Sequence, residues 1–251
     1  MLPDRVIGSV TLGIAAILLV LGVGAAVAYT AGKPPPLPAF EGQPAPAVTA
    51  DAPPAPTGDT ATVRDRFQPS AAWISTTSTA TGIPPRALES YARANLRIAD
   101  EQPGCRVGWT TIAAIGGIES GHGSANDAVL GEDGWPRPGI VGPALSGGKF
   151  GVVRDSDDGA LDGDTTWDHA VGPLQFIPQT WEQWGADGNN DGTSDPNQID
   201  DAALAASRYL CHSGDLGVAD NWRRAIFSFN HSDVYVADIA SLANQYAARV
   251  S

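Results

Sequence analysis

Between Trp109 and Gly123 the sequence predicts a helix that buries one carboxylate, and any fold of this chain has to accommodate it. Trp109, Ile112, Ile115 and Glu119 follow at steps of three, three and four residues, so they share one helical face. Burial disfavours the ionised form of Glu119 and raises its pKa, and a protonated carboxyl at neutral pH is what a general acid needs. The pattern also fits a glutamate that caps a neighbouring helix or pairs with an arginine. From this stretch alone both alternatives stay open.

Two consecutive glycines, Gly116 and Gly117, lie inside this predicted helix. Each costs about 1 kcal/mol relative to alanine in a helix interior. We therefore expect another group to approach the helix backbone closely at this point. The Ser-Gly-His-Gly sequence after Glu119 ends the helix, because glycine readily adopts a left-handed backbone.

The composition argues against one class of partner and does not decide whether the two cysteines are oxidised or reduced. The 251 residues include 28 acidic and 15 basic side chains, a formal charge of −13, which argues against a nucleic-acid partner. The two cysteines, Cys105 and Cys211, are far apart and form no Cys-x-x-Cys motif. Whether they pair depends on the compartment.

The N-terminal segment predicts export. Val6–Tyr29 is a run of 24 uncharged, mostly apolar residues, and about 20 such residues span a bilayer. Residues 1–31 are therefore predicted as a transmembrane anchor, or alternatively as a signal peptide cut after Ala26-Val27-Ala28. Residues 32–66 are rich in proline and alanine and are predicted as a disordered spacer. Both alternatives direct residues 67–251 out of the cytoplasm into the cell envelope, anchored to the membrane or secreted.

Residues 67–251 are predicted as one mainly α domain of about 185 residues, long enough for a single core. No convincing alternating strand pattern is present, and Asn126–Asp168 is predicted as a long functional loop. The predicted helices, besides that of Glu119, begin after Pro84, at Pro178, at Ile199, at Asn221 and after a capping Ser232.

Three segments occur in an order typical of one enzyme family. They are Gly117–Gly123 (Gly-Ile-Glu-Ser-Gly-His-Gly), Gly172–Trp181 (Gly-Pro-Leu-Gln-Phe-Ile-Pro-Gln-Thr-Trp) and Ala225–Ser232 (Ala-Ile-Phe-Ser-Phe-Asn-His-Ser). Together they resemble the lytic murein transglycosylases of the membrane-bound lytic transglycosylase B type. The resemblance covers Ile83–Ala247 and implies a goose-lysozyme-like α-helical domain, preceded here by the transmembrane helix and the linker.

The resemblance implies cleavage of the glycan strands of peptidoglycan by a single acid. The residue that matches Glu119 protonates the glycosidic oxygen between N-acetylmuramic acid (MurNAc) and N-acetylglucosamine (GlcNAc). It then helps to deprotonate the muramic 6-hydroxyl, which leaves a 1,6-anhydro end. Ordinary glycosidases use two carboxylates. Asp162, Asp164 and Asp168 could supply a second one, but solvated or calcium-like loop positions are the alternative for these three.

The same resemblance implies a set of residues that bind the glycan: Ser120, Gln175, Phe176, Phe229 and Asn230. Gln175 is expected to bond to a sugar, or alternatively to stabilise its own turn. Thr166, together with Thr165, is assigned to this set only by its proximity to the motif. Where the family has a tyrosine whose hydroxyl contacts the acid, this chain has Phe229, so we expect Glu119 to lack that hydroxyl.

A sequence beginning at Asp187 follows the calcium-loop pattern of alternating oxygen side chains, with Gly192 at the turn. The position that should be a glutamate is Gln198, which Asp200 or Asp201 could replace. Members of the family carry such a loop, so a structural calcium is predicted, with no cofactor needed for the chemistry. The alternative is a turn stabilised by its own side chains. The predicted ligands are Asp187, Asn189, Asp191, Thr193 and Asp195.

Export makes a disulfide between Cys105 and Cys211 the favoured state, with two buried thiols as the alternative. His-Glu-x-x-His, Gly-x-Ser-x-Gly and phosphate-loop motifs are absent from the sequence. The predicted partners are peptidoglycan strands and, through residues 1–31, the membrane, for a chain that is otherwise a monomer. Two further hypotheses remain: a muramidase that hydrolyses the same bond, and a wall-binding module that has lost turnover.

Overall fold

A computed structural model of the chain describes residues 67–148 and 151–250. The predicted anchor and spacer, residues 1–66, lie outside this part of the chain. Within the described residues, no helix combines the length and apolarity needed to span a membrane.

Seven α-helices hold about half of the described residues, and the sequence predicts all of them except the first. They are α1 (Ala71–Thr81), α2 (Pro85–Glu101), α3 (Trp109–Ser120), α4 (Pro178–Trp184), α5 (Ile199–Cys211), α6 (Ala219–Phe229) and α7 (Asp233–Val250).

Helix α1 is the one that the sequence pattern does not predict. Ser70 caps its first turn by accepting a hydrogen bond from the Trp73 N–H at 3.2 Å, and Gly82 ends it with a φ of 78°. Its Ser- and Thr-rich sequence carries no apolar stripe, which is the signal by which amphipathic helices are found.

Helix α3 forms the centre of the domain. Ten of its twelve residues are buried. The sequence predicts one buried face, whereas the structure buries the helix on almost every side. Helices α2 and α7 pack against it, and α5 packs against α2. A helix that is buried on almost every side is a core helix, and this explains its short, apolar, Gly- and Ala-rich sequence. Glu119 lies in its last turn.

The segment predicted as one long loop contains three short strands, and a fourth follows directly after it. They are β1 (Val129–Leu130), β2 (Pro136–Arg137), β3 (Val141–Ala144) and β4 (His169–Val171). They form two antiparallel pairs, β1 with β2 and β3 with β4. Strands of two to four residues are too short to show an alternating pattern, which is why the sequence did not reveal them. The second pair delivers the chain directly to the Gly172 motif.

Cys105 and Cys211 form a disulfide, as predicted for an exported domain. The bond joins the segment before α3 to the last residue of α5 across 106 residues. It therefore fixes α3 against α5 at the end of α3 opposite Glu119.

Candidate active site

Glu119 is buried near the C-terminal end of α3, with 4% of its surface exposed. Its Oε1 accepts a hydrogen bond of 2.6 Å from the Tyr235 hydroxyl, and its Oε2 has no hydrogen-bond partner among the described residues. Burial raises the pKa of Glu119 to about 7, although the hydrogen bond from Tyr235 acts in the opposite direction. Since Oε1 is an acceptor, the proton of the neutral acid belongs on Oε2. The site therefore presents a carboxyl that can donate a proton near neutral pH.

Tyr235 is a site residue that the sequence analysis missed. It lies in the first turn of α7, and its ring is parallel to that of Phe229, with an interplanar angle of 5° and centroids 6.5 Å apart. The expectation that Glu119 lacks a tyrosine hydroxyl is therefore wrong. The hydroxyl comes from Tyr235, which lies six positions after Phe229 in the chain. Tyr235 also lies four residues before the buried Ile239, which was the signal that could have revealed its inward direction.

Tyrosine side chains from two neighbouring helices pack directly on the backbone of the glycine pair in α3. This confirms the prediction that another group approaches the helix backbone closely there. A Cβ atom on Gly116 would overlap the hydroxyl and Cζ of Tyr91 from α2. A Cβ on Gly117 would lie 3.2 Å from the Tyr246 hydroxyl of α7. The last turn of α3 is thus pressed between two neighbouring helices.

The Ser120 hydroxyl links α3 to the second motif. It donates to the Pro173 carbonyl at 2.6 Å and accepts a hydrogen bond from the Gly123 N–H at 2.8 Å. Since its proton is engaged by the backbone, Ser120 positions the Gly172 motif next to Glu119. Its predicted contact with the glycan stays a prediction.

Gln175 occupies a strained turn. Its φ is 52°, in the left-handed region that residues other than glycine seldom adopt. Its side-chain Nε2 donates to the Gly172 carbonyl at 2.8 Å, which is the turn-stabilising contact given as its alternative role. Gly172 has no room for a side chain, because a Cβ would overlap the Pro196 carbonyl. The turn is therefore fixed from both sides while the Gln175 side chain stays half-buried.

An aromatic cluster joins the second motif to the third. The Phe176 ring is buried and makes edge contacts with Trp181 and Phe229, at centroid distances of 5.2 and 5.8 Å. Phe176 is thus a core residue that supports Phe229. Asn230, which ends α6, is 2% exposed, and its Oδ1 has no hydrogen-bond partner among the described residues. Through these contacts the three sequence motifs meet at one site.

The aspartates before the second motif bond within their own segment. Asp162 accepts hydrogen bonds from the N–H groups of Asp164 and His169, and Asp164 contacts the His169 ring at 3.2 Å. Thr166 is exposed, and its backbone N–H donates to Asp164. These contacts are structural. A glycan contact of Thr166 remains untested.

Asp168 is fully buried, so a solvated position is wrong for this residue. It accepts hydrogen bonds from the N–H and the hydroxyl of Ser156. Together with Asp155 and Asp157 it places three carboxylate oxygens within 4.8 Å of one another. Burial and the neighbouring charges raise the pKa of Asp157.

The Asp187 loop is closed by Asp201, and Gln198 serves another purpose. Gln198 caps α5 by accepting hydrogen bonds from the N–H groups of its first turn. The buried Asp201 carboxylate instead faces the loop and accepts from the N–H groups of Gly188, Asn189 and Asp195. Burial raises the pKa of Asp201 to about 6, and the charge of Asp187 acts in the same direction.

This donor set fits a hard cation, because a bound positive charge would offset the repulsion between the carboxylates of Asp187 and Asp201. In this structure the Asp187 carboxylate accepts hydrogen bonds from the N–H groups of Asp191 and Gly192. The loop is thus also stabilised by its own side chains, and calcium binding stays a prediction.

Comparison with known proteins supports the resemblance seen in the sequence. Residues 152–217 match the family model described as "Transglycosylase SLT domain". This segment is therefore similar to a transglycosylase SLT domain. It contains Gln175, the Asp187 loop and Cys211, whereas Glu119 and Asn230 lie outside it. The match confirms the predicted relation to the lytic transglycosylases, and with it the prediction of an enzyme.

Two solved structures resemble the chain at 16% sequence identity and a TM-score of 0.41. SltB3 from Pseudomonas aeruginosa, in complex with NAG-anhNAM-pentapeptide, aligns over 71% of this chain and 67% of its own. The Escherichia coli lytic transglycosylase Slt35, in complex with calcium, aligns over 72% and 80%. A comparison with curated protein sequences finds no match.

Proposed function

We propose that this chain is a lytic transglycosylase that cleaves the β-1,4 bond between MurNAc and GlcNAc in peptidoglycan. The environment of Glu119 carries the proposal: one buried carboxyl is held at Oε1 by Tyr235, and its Oε2 is left to donate a proton. The match of residues 152–217 to the transglycosylase SLT domain supports the substrate class. A pKa of about 7 provides both the acid and the base form at working pH.

The proposed reaction needs no second carboxylate and no water. Oε2 of Glu119 gives its proton to the glycosidic oxygen as the bond from that oxygen to C1 of MurNAc breaks. The MurNAc 6-hydroxyl oxygen then bonds to C1 and returns its proton to the Glu119 carboxylate. The products are a 1,6-anhydro-MurNAc end and a GlcNAc with a free 4-hydroxyl. In support of a single acid, burial and Tyr235 shift the pKa of Glu119, and no carboxylate among the described residues contributes.

Gln175, Phe229 and Asn230 are proposed to bind the glycan beside Glu119. The strained turn of Gln175 supports this role, since such backbone persists where the surroundings fix it. The unpartnered Oδ1 of Asn230 supports a contact with a sugar hydroxyl or amide. The Phe229 ring packs parallel to that of Tyr235 and is proposed to keep water from the bond between Tyr235 and Glu119.

The finer parts of the architecture and location belong to the same proposal. We propose a goose-lysozyme-like arrangement of residues 67–251, a tether formed by residues 1–66, and action in cell-wall remodelling outside the cytoplasm. A disulfide across 106 residues supports an exported domain. We also propose that a calcium ion binds to the Asp187 loop and Asp201 in a purely structural role, on the basis of their oxygen-rich donor set.

Digestion of purified peptidoglycan in ¹⁸O-labelled water tests the reaction. We expect the products to carry anhydro ends and no ¹⁸O when analysed by mass spectrometry. Reducing ends that contain ¹⁸O would show a muramidase, and intact strands with measurable binding would show a wall-binding module. Where strands are cleaved, with anhydro or with reducing ends, Glu119→Gln should abolish cleavage while glycan binding persists. Cleavage that survives this substitution would refute the assignment of Glu119.

A further inference from the structure

His122, three residues after Glu119, takes no part in the proposed reaction and yet makes two specific contacts. Its Nδ1 lies 3.1 Å from the Tyr91 hydroxyl of α2, and its Nε2 lies 3.1 Å from the Tyr246 hydroxyl of α7. The ring thus bridges two helices on either side of the last turn of α3. Both tyrosines are buried. A polar bridge of this kind must be fully satisfied, because an unpaired buried polar group is costly.

The imidazole can satisfy both contacts in either charge state. The neutral ring donates from one nitrogen and accepts at the other, and the protonated ring donates from both. Burial lowers the pKa of His122 to about 4, so the neutral form prevails at working pH. One ring nitrogen then donates to a tyrosine oxygen and the other accepts from a tyrosine hydroxyl. Burial also raises the pKa of Tyr91 and of Tyr246, so both hydroxyls keep their protons. The charge of Arg249 acts on Tyr246, and no charged group contributes to the pKa of His122.

The backbone of His122 also belongs to the end of α3. Gly121 has a left-handed φ of 58° and donates to the Gly117 carbonyl at 3.0 Å, while the His122 N–H donates to the Gly116 carbonyl at 2.9 Å. His122 itself has a φ of 63°, which is an unfavourable backbone conformation for a residue other than glycine. A histidine held in this conformation indicates that its ring contacts outweigh the strain.

Glu119 lies in the last turn of α3 and His122 lies two residues after its end, and their contacts attach this end of α3 to two distant points of α7. Tyr235 and Tyr246 are 11 residues apart in α7, which corresponds to about 16 Å along the helix axis. Glu119 meets the first hydroxyl at 2.6 Å and His122 meets the second at 3.1 Å. Two attachments at this separation fix the direction of α3 relative to α7 as well as its distance from α7. A single attachment would fix only the distance of this end of α3 from α7.

We propose that His122 is a positioning residue that, through Tyr91 and Tyr246, holds the last turn of α3 where Glu119 meets the Tyr235 hydroxyl. The proposal rests on the proposed function, since the residue that His122 positions is the proposed acid. His122 does not touch the reacting atoms. Its effect reaches the reaction through the hydrogen bond between Tyr235 and Glu119.

His122→Phe tests the proposal, because it keeps a ring of similar size and removes both contacts. We expect kcat to fall between about 10-fold and 100-fold with little change in KM, as for a misplaced catalytic group. The pKa of Glu119, measured directly by NMR of its ¹³C-labelled carboxyl, should rise, because the weakened Tyr235 bond no longer favours the carboxylate. Tyr246→Phe, which removes one of the two contacts, should give a smaller rise. His212→Phe, at an exposed histidine, is the matched control and should change neither quantity.

A double-mutant cycle with Tyr235→Phe distinguishes positioning from a general effect on stability. Once His122→Phe has displaced the turn, removal of the Tyr235 hydroxyl should shift the pKa of Glu119 less than it does in the wild type. Fully additive shifts, or an unchanged or lowered pKa in His122→Phe, would overturn the proposal. The carboxyl titration needs no turnover. If the wild type releases no anhydro product, the proposed function fails while the titration still decides the role of His122.

Discussion

Replacing Glu119 with glutamine removes a charge that the buried site disfavours, so the substitution should stabilise the fold while it abolishes catalysis. The pKa of Glu119 lies at about 7, above the ordinary value of 4.5. Between these two pH values the folded protein keeps a proton that the unfolded chain has released. Wild-type stability therefore falls as the pH rises through this window, by up to about 3 kcal/mol above pH 7. Glutamine is neutral at every pH and can still accept the hydrogen bond from Tyr235.

The difference between Glu119→Gln and the wild type should accordingly be small at pH 4.5 and largest above pH 7. At pH 8 we expect a gain of about 3 kcal/mol, or roughly 6–12 °C in Tm for a domain of this size. Urea unfolding of both proteins at several pH values measures this difference in the free energy of unfolding. Glu182→Gln, at an exposed carboxylate of α4, is the control and should leave the curve unchanged. A stability difference that does not grow with pH would refute the reasoning that makes Glu119 a proton donor.

Three further predictions follow from other parts of the domain. Serine at both Cys105 and Cys211 should lower the free energy of unfolding by up to about 5 kcal/mol, since the bond spans 106 residues, and reducing agent should reproduce this loss in the wild type. Gly116→Ala should cost about 1–3 kcal/mol in urea unfolding, because a side chain there forces a tyrosine to move. Calcium should raise the Tm of the wild type and leave that of Asp201→Asn unchanged, while cleavage of peptidoglycan persists after chelation. A calcium response that survives in Asp201→Asn would contradict the assignment of the loop.

Local patterns predicted those parts of the fold that depend on local physics. The spacing of Leu88, Tyr91 and Ile98 after Pro84 puts them on one helical face, and all three are buried in α2. The glycine pair in α3 indicated a close approach before any neighbour was known, because two costly residues in a helix require a steric reason. Helix α1 escaped prediction, since its Ser- and Thr-rich turns carry no periodic apolar signal.

The parts of the candidate site that the sequence could not predict depend on contacts between residues that are distant in the chain. The Tyr235 hydroxyl binds Glu119, which is 116 residues away in the chain. The helical period does not specify which aromatic residue of α7 makes this contact. The family pattern placed the hydroxyl at position 229, where this chain has phenylalanine. For the same reason the sequence left Asp200 and Asp201 as equal replacements for Gln198. Only the packing of α5 decides between them, because it turns Asp200 towards Arg86 and Asp201 towards the loop.

The Cys105–Cys211 bond encloses only part of the site. Glu119 and Gln175 lie inside the covalent ring that it forms, whereas Tyr235 lies after it in the chain. The bond therefore ties the acid and the second motif into one covalently closed unit, whereas α7 is held on α3 by noncovalent contacts alone. Local opening of α7 would separate Tyr235 from Glu119 and leave the disulfide intact. Loss of activity by this route would precede loss of the covalent frame.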